Sequence, residues 1–155
     1  MNLLLQFIAA FFGTISFAVI FEVPKKYYIY SGAIGAAGWM IYLFVLNTFN
    51  TPIIAIFVSS LILLYLSREI SYKLKAPVTI FLLCGIFCLA PGLGLYKFTY
   101  AFFTNNEGGV SASSLAVTVL KSAIAISFGI AIGYELPPQF FYFYRKMNKK
   151  NKRLS

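Results

Sequence analysis

Five long apolar stretches, joined by short connections, limit what this chain can fold into more than any other feature of its sequence. They cover residues 3–21, 27–46, 52–66, 78–103 and 115–134. A helix needs about 20 apolar residues to cross the hydrocarbon core of a bilayer, and the stretches are of that order. Only 11% of the residues are charged, whereas a soluble domain carries roughly 25%. The pattern predicts an all-α integral membrane protein with a five-helix membrane domain over residues 1–144.

The basic residues of the connections fall on one side of the predicted membrane. They follow the first, third and fifth stretches, at Lys25, Lys26, Arg68, Lys73 and Lys75 and at six positions within 145–155. The other two connections, NTFNT and TNNEGGVSA, contain neither Lys nor Arg. Since short cytoplasmic loops hold the positive charge, we expect the N-terminus outside and the C-terminus in the cytoplasm. Residues 145–155 are then a basic cytoplasmic tail that lies against anionic lipid.

The residue types in the chain disfavour catalytic, metal-binding and nucleic-acid-binding sites. Histidine and aspartate are absent, so Ser-His-Asp triads and histidine metal sites lack their parts. Cys84 and Cys88 share one helix face and make a poor zinc site without further ligands, so we expect them to pack as small apolar residues. The net charge of +9 lies largely in the tail, unlike the basic face of a nucleic-acid module. We expect no enzyme activity, metal or cofactor.

The fourth stretch is interrupted in its middle by CLAPGLGLYKFTY, residues 88–100. Pro91 removes a backbone donor and Gly92 weakens a helix, so we predict that this span is broken at Pro91-Gly92. Broken backbone at membrane depth is tolerated where it is buried in protein or lines a wet cavity. Candidates for a solute pathway are therefore Pro91, Gly92, Tyr96, Lys97, Tyr100 and, in the fifth stretch, Lys121. A kink that only shapes the helix is the alternative.

Lys97 and Lys121 are the two basic residues that fall inside predicted spans. A charged side chain at membrane depth is costly unless it is neutralised, and the spans offer no buried acid. An anionic partner would be a substrate carboxylate or an acid from another subunit. The alternative is that both lysines reach the outer headgroups.

Small residues line the second and fifth stretches at helical spacing. Helices in lipid associate by close packing, so small faces mark predicted helix contacts. The residues are Gly32, Gly35 and Gly38, followed by Trp39 and Tyr42, and in the fifth stretch Gly129 and Gly133. The contact is either within this chain or with a second subunit, and the sequence leaves both open.

Three segments, in order, resemble the small membrane subunit of the split threonine/serine exporter family. They are FAVIFEVPKKYY, GAIGAAGWMIYL and APGLGLYKFTYAFF. The resemblance implies a secondary transporter in the bacterial plasma membrane that exports threonine, serine or related carboxylates together with a larger membrane subunit. The positions carried over are Pro24, Gly35, Gly38, Trp39, Tyr42, Pro91, Gly92 and Tyr96. Lys97 and Lys121 are not among them, so any role for these two rests on the physical argument.

Two other functions fit the same features. A non-transporting membrane scaffold or accessory subunit would use the small faces and the basic tail, with the kink as architecture. A homo-oligomeric channel, a higher oligomer of this chain, would need no larger subunit.

Overall fold

The computed structural model describes residues 2–104 and 112–135, and every regular element within them is helical. The helices are α1 (Leu3–Ile20), α2 (Tyr28–Phe49), α3 (Pro52–Leu74), α4 (Val78–Leu89), α5 (Gly92–Thr104) and α6 (Ala112–Glu135), with a 3-10 turn at Lys25–Tyr27 before α2. Four of these helices, α1, α2, α3 and α6, are long and apolar enough to cross a membrane. Together, α4 and α5 form a fifth candidate span, bent by 50°. The predicted basic tail, 145–155, lies outside the described residues.

The third helix is eight residues longer than the apolar stretch that predicts it. The apolar stretch ends at Leu66, whereas α3 continues to Leu74. Arg, Glu and Lys form helices readily, so the charged residues beyond Leu66 extend α3 rather than end it. It stops where Lys75 adopts a left-handed conformation with φ 50° and Pro77 follows, which is a common helix ending. Loss of apolar character therefore marks the end of the predicted span but not of the helix.

Two helices, α2 and α3, form the centre of the bundle. α2 packs against α1, α3 and α4, and α3 packs against α2, α4 and α6. Between them lies an apolar core that includes Ile34, Leu63, Phe81 and Cys84, all almost fully buried. The two halves of the bent span have different neighbours, because α4 packs against α1, α2 and α3 whereas α5 packs against α6.

Glycines on α2 allow close contact with helices on both sides. At Gly35, an added Cβ would lie 2.7 Å from both Cβ and Cγ2 of Thr14 on α1. At Gly38, it would lie 2.6 Å from Cδ1 of Leu63 on α3. The same contact carries a hydrogen bond, since Ser59 Oγ donates to the Gly38 carbonyl over 2.6 Å. Close packing and a buried polar bond therefore act together at the α2–α3 contact, as is typical of helices in lipid.

Glycines on α6 make the same kind of contact with α3. An added Cβ at Gly129 would collide with Ser60 Oγ and lie 2.8 Å from the backbone carbonyl oxygen of Phe57. At Gly133, it would lie 2.6 Å from Cδ2 of Leu64. The small face of the fifth predicted stretch thus packs against α3 within the chain.

Candidate functional site

The site begins at the break between α4 and α5. Ala90 is extended, with φ −60° and ψ 138°, as expected of a residue that precedes proline. Pro91 has no N–H, so the Phe87 carbonyl loses its usual helical donor. The Gly92 N–H donates to the Ala90 carbonyl over 2.8 Å, which turns it away from the Cys88 carbonyl that it would meet in a continuous helix. The carbonyls at the end of α4, including those of Phe87 and Cys88, therefore lose their usual donors at the predicted position.

The chain resumes as a helix within one turn of the break. The Leu95 N–H donates to the Pro91 carbonyl over 2.9 Å and closes the first turn of α5. The N–H groups of Leu93 and Gly94 precede that bond and have no carbonyl within α5 to accept them. The start of α5 thus carries the partial positive charge of a helix N-terminus, a few residues from the carbonyls at the end of α4.

Helix α4 is fixed to α1 one turn before the break. The Thr14 hydroxyl donates to the Ala10 carbonyl over 2.8 Å, and its oxygen lies 3.2 Å from Cys88 Sγ. Close contact between Thr14 and Gly35 holds α2 at the same level. The α4 side of the break is therefore held by two helices.

Helix α5, in contrast, has no buried residue. Its contact with α6 includes Gly94, where an added Cβ would lie 3.1 Å from Val119 Cγ2. Tyr96 and Tyr100 are 66% and 55% exposed, and their rings stack with centroids 6.4 Å apart. Lys97 is exposed beside them. The structure thus brings three of the predicted pathway residues together just after the break, on one exposed surface.

Lys121, the remaining predicted pathway residue, is exposed on α6 but lies on a different face. Val119 contacts α5. Lys121 lies two residues after Val119, which is about 200° around the helix. The structure therefore does not bring Lys121 together with Lys97. A pathway role for each lysine stays a separate prediction.

The predicted interface residues of α2 lie in the bundle. Trp39 is partly buried, and its Nε1 donates to Gln6 Oε1 on α1 over 3.3 Å. Its ring lies 5.2 Å from that of Tyr42, and both side chains pack against the apolar core. Gly32, Gly35 and Gly38 are buried as well. These residues pack within the chain, and a contact with a second subunit stays a prediction for them.

Arg68, which was predicted to lie in a connection, joins two helices instead. It lies on α3, and its Nη1 donates to the Gly133 carbonyl of α6 over 2.9 Å. The guanidinium carbon also lies 6.0 Å from the centre of the Tyr134 ring. A cation is favourable there because the last carbonyls of a helix carry partial negative charge. Arg68 follows Leu64 by four residues, so the continued helical spacing of α3 is the signal that could have identified this contact.

Comparison with known proteins identifies the family. Residues 6–137 match the family described as "Threonine/Serine exporter, ThrE". The chain belongs to this family. The family-level prediction is therefore confirmed, and the chain is a multi-pass membrane protein of an exporter family.

A curated relative and the solved structures complete the comparison. An "Uncharacterized protein" of Haemophilus influenzae is 27% identical over 146 residues, which cover 92% of this chain and 48% of that protein. The chain thus spans about half the length of the curated relative that it matches. No solved structure matches the chain significantly.

Proposed function

We propose that this chain is the small subunit of a two-component secondary exporter in the bacterial plasma membrane. It works with a larger membrane subunit and moves small polar metabolites of the threonine and serine type. The observation that carries the proposal is the break between α4 and α5, which gives a member of an exporter family an interrupted span. Discontinuous spans of this kind form the binding sites of many transporters.

The chemistry of the break suits an amino acid. The N-terminus of α5 favours a carboxylate, and the carbonyls of Phe87 and Cys88 without their usual donors favour an ammonium group. Tyr96 and Tyr100 add hydroxyl groups beside the break, where a hydroxy amino acid offers its own hydroxyl. Both charged ends and the side chain of such a solute therefore have matching groups within about two and a half turns of Pro91.

The proposed topology has five crossings, with the N-terminus outside and the C-terminus in the cytoplasm. The charge distribution supports it, because Lys25 and Lys26 precede α2 whereas Lys73 and Lys75 lie at the end of α3. Two successive crossings, α2 and α3, bring these two pairs to the same side of the membrane. Their side is cytoplasmic by the positive-inside rule.

A larger partner is supported by the lengths of the proteins and by the packing. The Haemophilus relative is about twice as long as this chain. The part that matches this chain is therefore joined there to a further segment of about the same length. Within this chain, the glycine faces of α2 and α6 are already covered by α1 and α3. The surface left exposed beside the break is that of α5, and a second subunit would cover it.

The test replaces Pro91-Gly92 with Ala-Ala and measures export of threonine and serine from cells that also contain the larger subunit. The replacement restores the missing N–H and favours a continuous helix. An added methyl at Gly92 meets nothing within 4 Å. A loss of export would therefore result from the changed backbone conformation rather than from a steric clash. We expect the variant to co-purify with the larger subunit and to lose export.

Gly13→Ala is the matched control, because an added Cβ there also meets nothing within 4 Å. It should export like the unaltered chain. Full export by the Ala-Ala variant would contradict the proposal and favour a scaffold that moves no solute. Flux through liposomes that contain this chain alone would instead favour a homo-oligomeric channel.

A further inference from the structure

One face of α5 is exposed along its length. It consists of Leu93, Tyr96, Lys97, Tyr100 and Thr104, and we call it the α5 face. Their spacing of three and four residues places them on the same side of the helix, and all five are exposed. The partly buried residues of α5, Gly94, Phe98 and Ala101, form a neighbouring stripe that Lys97 borders, and Gly94 meets α6 there. Hydroxyl and ammonium groups therefore project from α5 on an exposed surface beside its contact with α6.

The charge on this face has no partner among the described residues. Lys97 lies seven residues before Thr104, the last residue of α5, which is about 10 Å along the helix axis. Glu22 follows α1, Glu69 lies five residues before the end of α3, and Glu135 ends α6. All three therefore lie towards the other side of the proposed membrane domain. Glu107 is outside the described residues. An acid from elsewhere would neutralise a lysine at this depth.

We propose that the α5 face docks against a membrane helix of the larger subunit, and that this helix carries an Asp or Glu at the level of Lys97. The inference rests on the proposed function, because it needs a larger subunit. The stacked rings of Tyr96 and Tyr100 then lie at the boundary between the two subunits, beside the α4–α5 break. The solute path is completed by residues that this chain does not contain.

A second copy of this chain fits the α5 face less well. Two copies that met through this face about a two-fold axis would bring their Lys97 side chains towards each other, and like charges repel most strongly where water is excluded. Neither copy offers a described acid at that level. The acid is therefore expected from the larger subunit, which would correspond to the half of the Haemophilus protein that this chain does not match.

The first experiment maps the face in membranes of cells that contain the full complex. The photoreactive residue benzoylphenylalanine is placed at Tyr100, and in a control chain at Phe44, which is 73% exposed on α2. The expected result is a cross-link from position 100 to the larger subunit, at a helix that mass spectrometry shows to contain Asp or Glu. Position 44 should give no such product. A cross-link from position 100 to a second copy, or no protein cross-link there, would overturn the proposal.

The second experiment exchanges the charges. Lys97→Glu should lower recovery of the larger subunit with this chain by at least about tenfold, because two acids then meet in a buried contact. Changing the cross-linked Asp or Glu to Lys should restore recovery, which a folding defect in the first variant would not allow. Restoration by Glu107→Lys instead would overturn the proposal, since Lys97 would then be neutralised within its own chain.

These outcomes separate the docking surface from the proposed function. If the unaltered chain purifies without any larger subunit, both are overturned. If the larger subunit co-purifies and export occurs, but position 100 does not cross-link to it, the two-component exporter stands and the α5 face is not its docking surface.

Discussion

The close contact between α1 and α2 gives the sharpest prediction about stability, through the substitution Gly35→Ala. An added methyl would lie 2.7 Å from both Cβ and Cγ2 of Thr14. Rotation of the threonine side chain could move Cγ2, but Cβ is fixed by the backbone of α1. The two helices must therefore move apart, which also disturbs the contact of Thr14 with Cys88.

The expected size of the effect follows from two opposing terms. Overpacking of a well-packed interior costs about 1–3 kcal/mol. Replacing a helical glycine by alanine returns about 1 kcal/mol, so Gly35→Ala should destabilise the chain by up to about 2 kcal/mol. Gly13→Ala is the control, because it lies next to Thr14 on α1 and an added Cβ there meets nothing within 4 Å. It should be neutral or stabilising by up to about 1 kcal/mol.

The assay is equilibrium unfolding of the purified chain in mixed micelles, followed by far-UV circular dichroism and by the fluorescence of Trp39. Trp39 is the single tryptophan of the chain and lies one turn from Gly35, so it reports on the contact itself. Circular dichroism reports on all helices, so it distinguishes unfolding of the chain from a local change in the fluorescence of Trp39. If Gly35→Ala unfolds at or above the midpoint of Gly13→Ala, the reasoning about close packing is refuted.

A double-mutant cycle makes the test stricter. Thr14→Gly removes the three atoms nearest to the added methyl. In that background Gly35→Ala should stabilise the chain rather than destabilise it, because only the gain in helix propensity remains. The same sign in both backgrounds would show that Thr14 is not the cause of the cost.

Two further predictions concern polar contacts between helices. Arg68→Ala removes the bond to the Gly133 carbonyl and should destabilise the chain by about 1 kcal/mol. The effect is no larger because solvent already screens the partly exposed guanidinium. An unchanged unfolding midpoint would mean that the bond contributes nothing. Ser59→Ala removes the buried bond to the Gly38 carbonyl and should cost about 0.5–1.5 kcal/mol, measured in the same micelles. The control is Ser127→Ala, since Ser127 is exposed and bonds only within its own helix; equal effects of the two serine substitutions would contradict the prediction.

Apolar length and the pair Pro91-Gly92 were enough to predict the helical class and the position of the break. Both are local properties, because a span depends on consecutive apolar residues and a break depends on a missing N–H. The end of α3 was not predicted from the same signal. Arg68 is polar enough to end an apolar stretch but remains helical, so its contact with α6 could not be inferred from hydropathy.

The sequence alone could not show which helix faces contact each other. Helical spacing showed that Gly38 and Gly129 lie on small faces, but it cannot show which side chain fills each groove. In the structure, Leu63 fills the groove at Gly38 and Ser60 the one at Gly129, so neighbouring residues of α3 face different helices. Lys97 and Lys121 illustrate the same limit. Each falls inside a predicted span, but in the structure the two lysines lie on different helix faces.

The break at Pro91 separates two parts of one span that are held in unequal ways. On one side, α4 buries Phe81, Cys84 and Leu89 against three helices, whereas α5 buries none of its residues. A rotation about the backbone of Ala90 and Gly92 would therefore move α5 without opening the core around α4, and Gly92 has open space on its Cα. For the export that we propose, this makes α5 the element whose position a second subunit could control without disturbing the core around α4. What lies against the α5 face, rather than the packing within this chain, then determines whether the break is open to a solute.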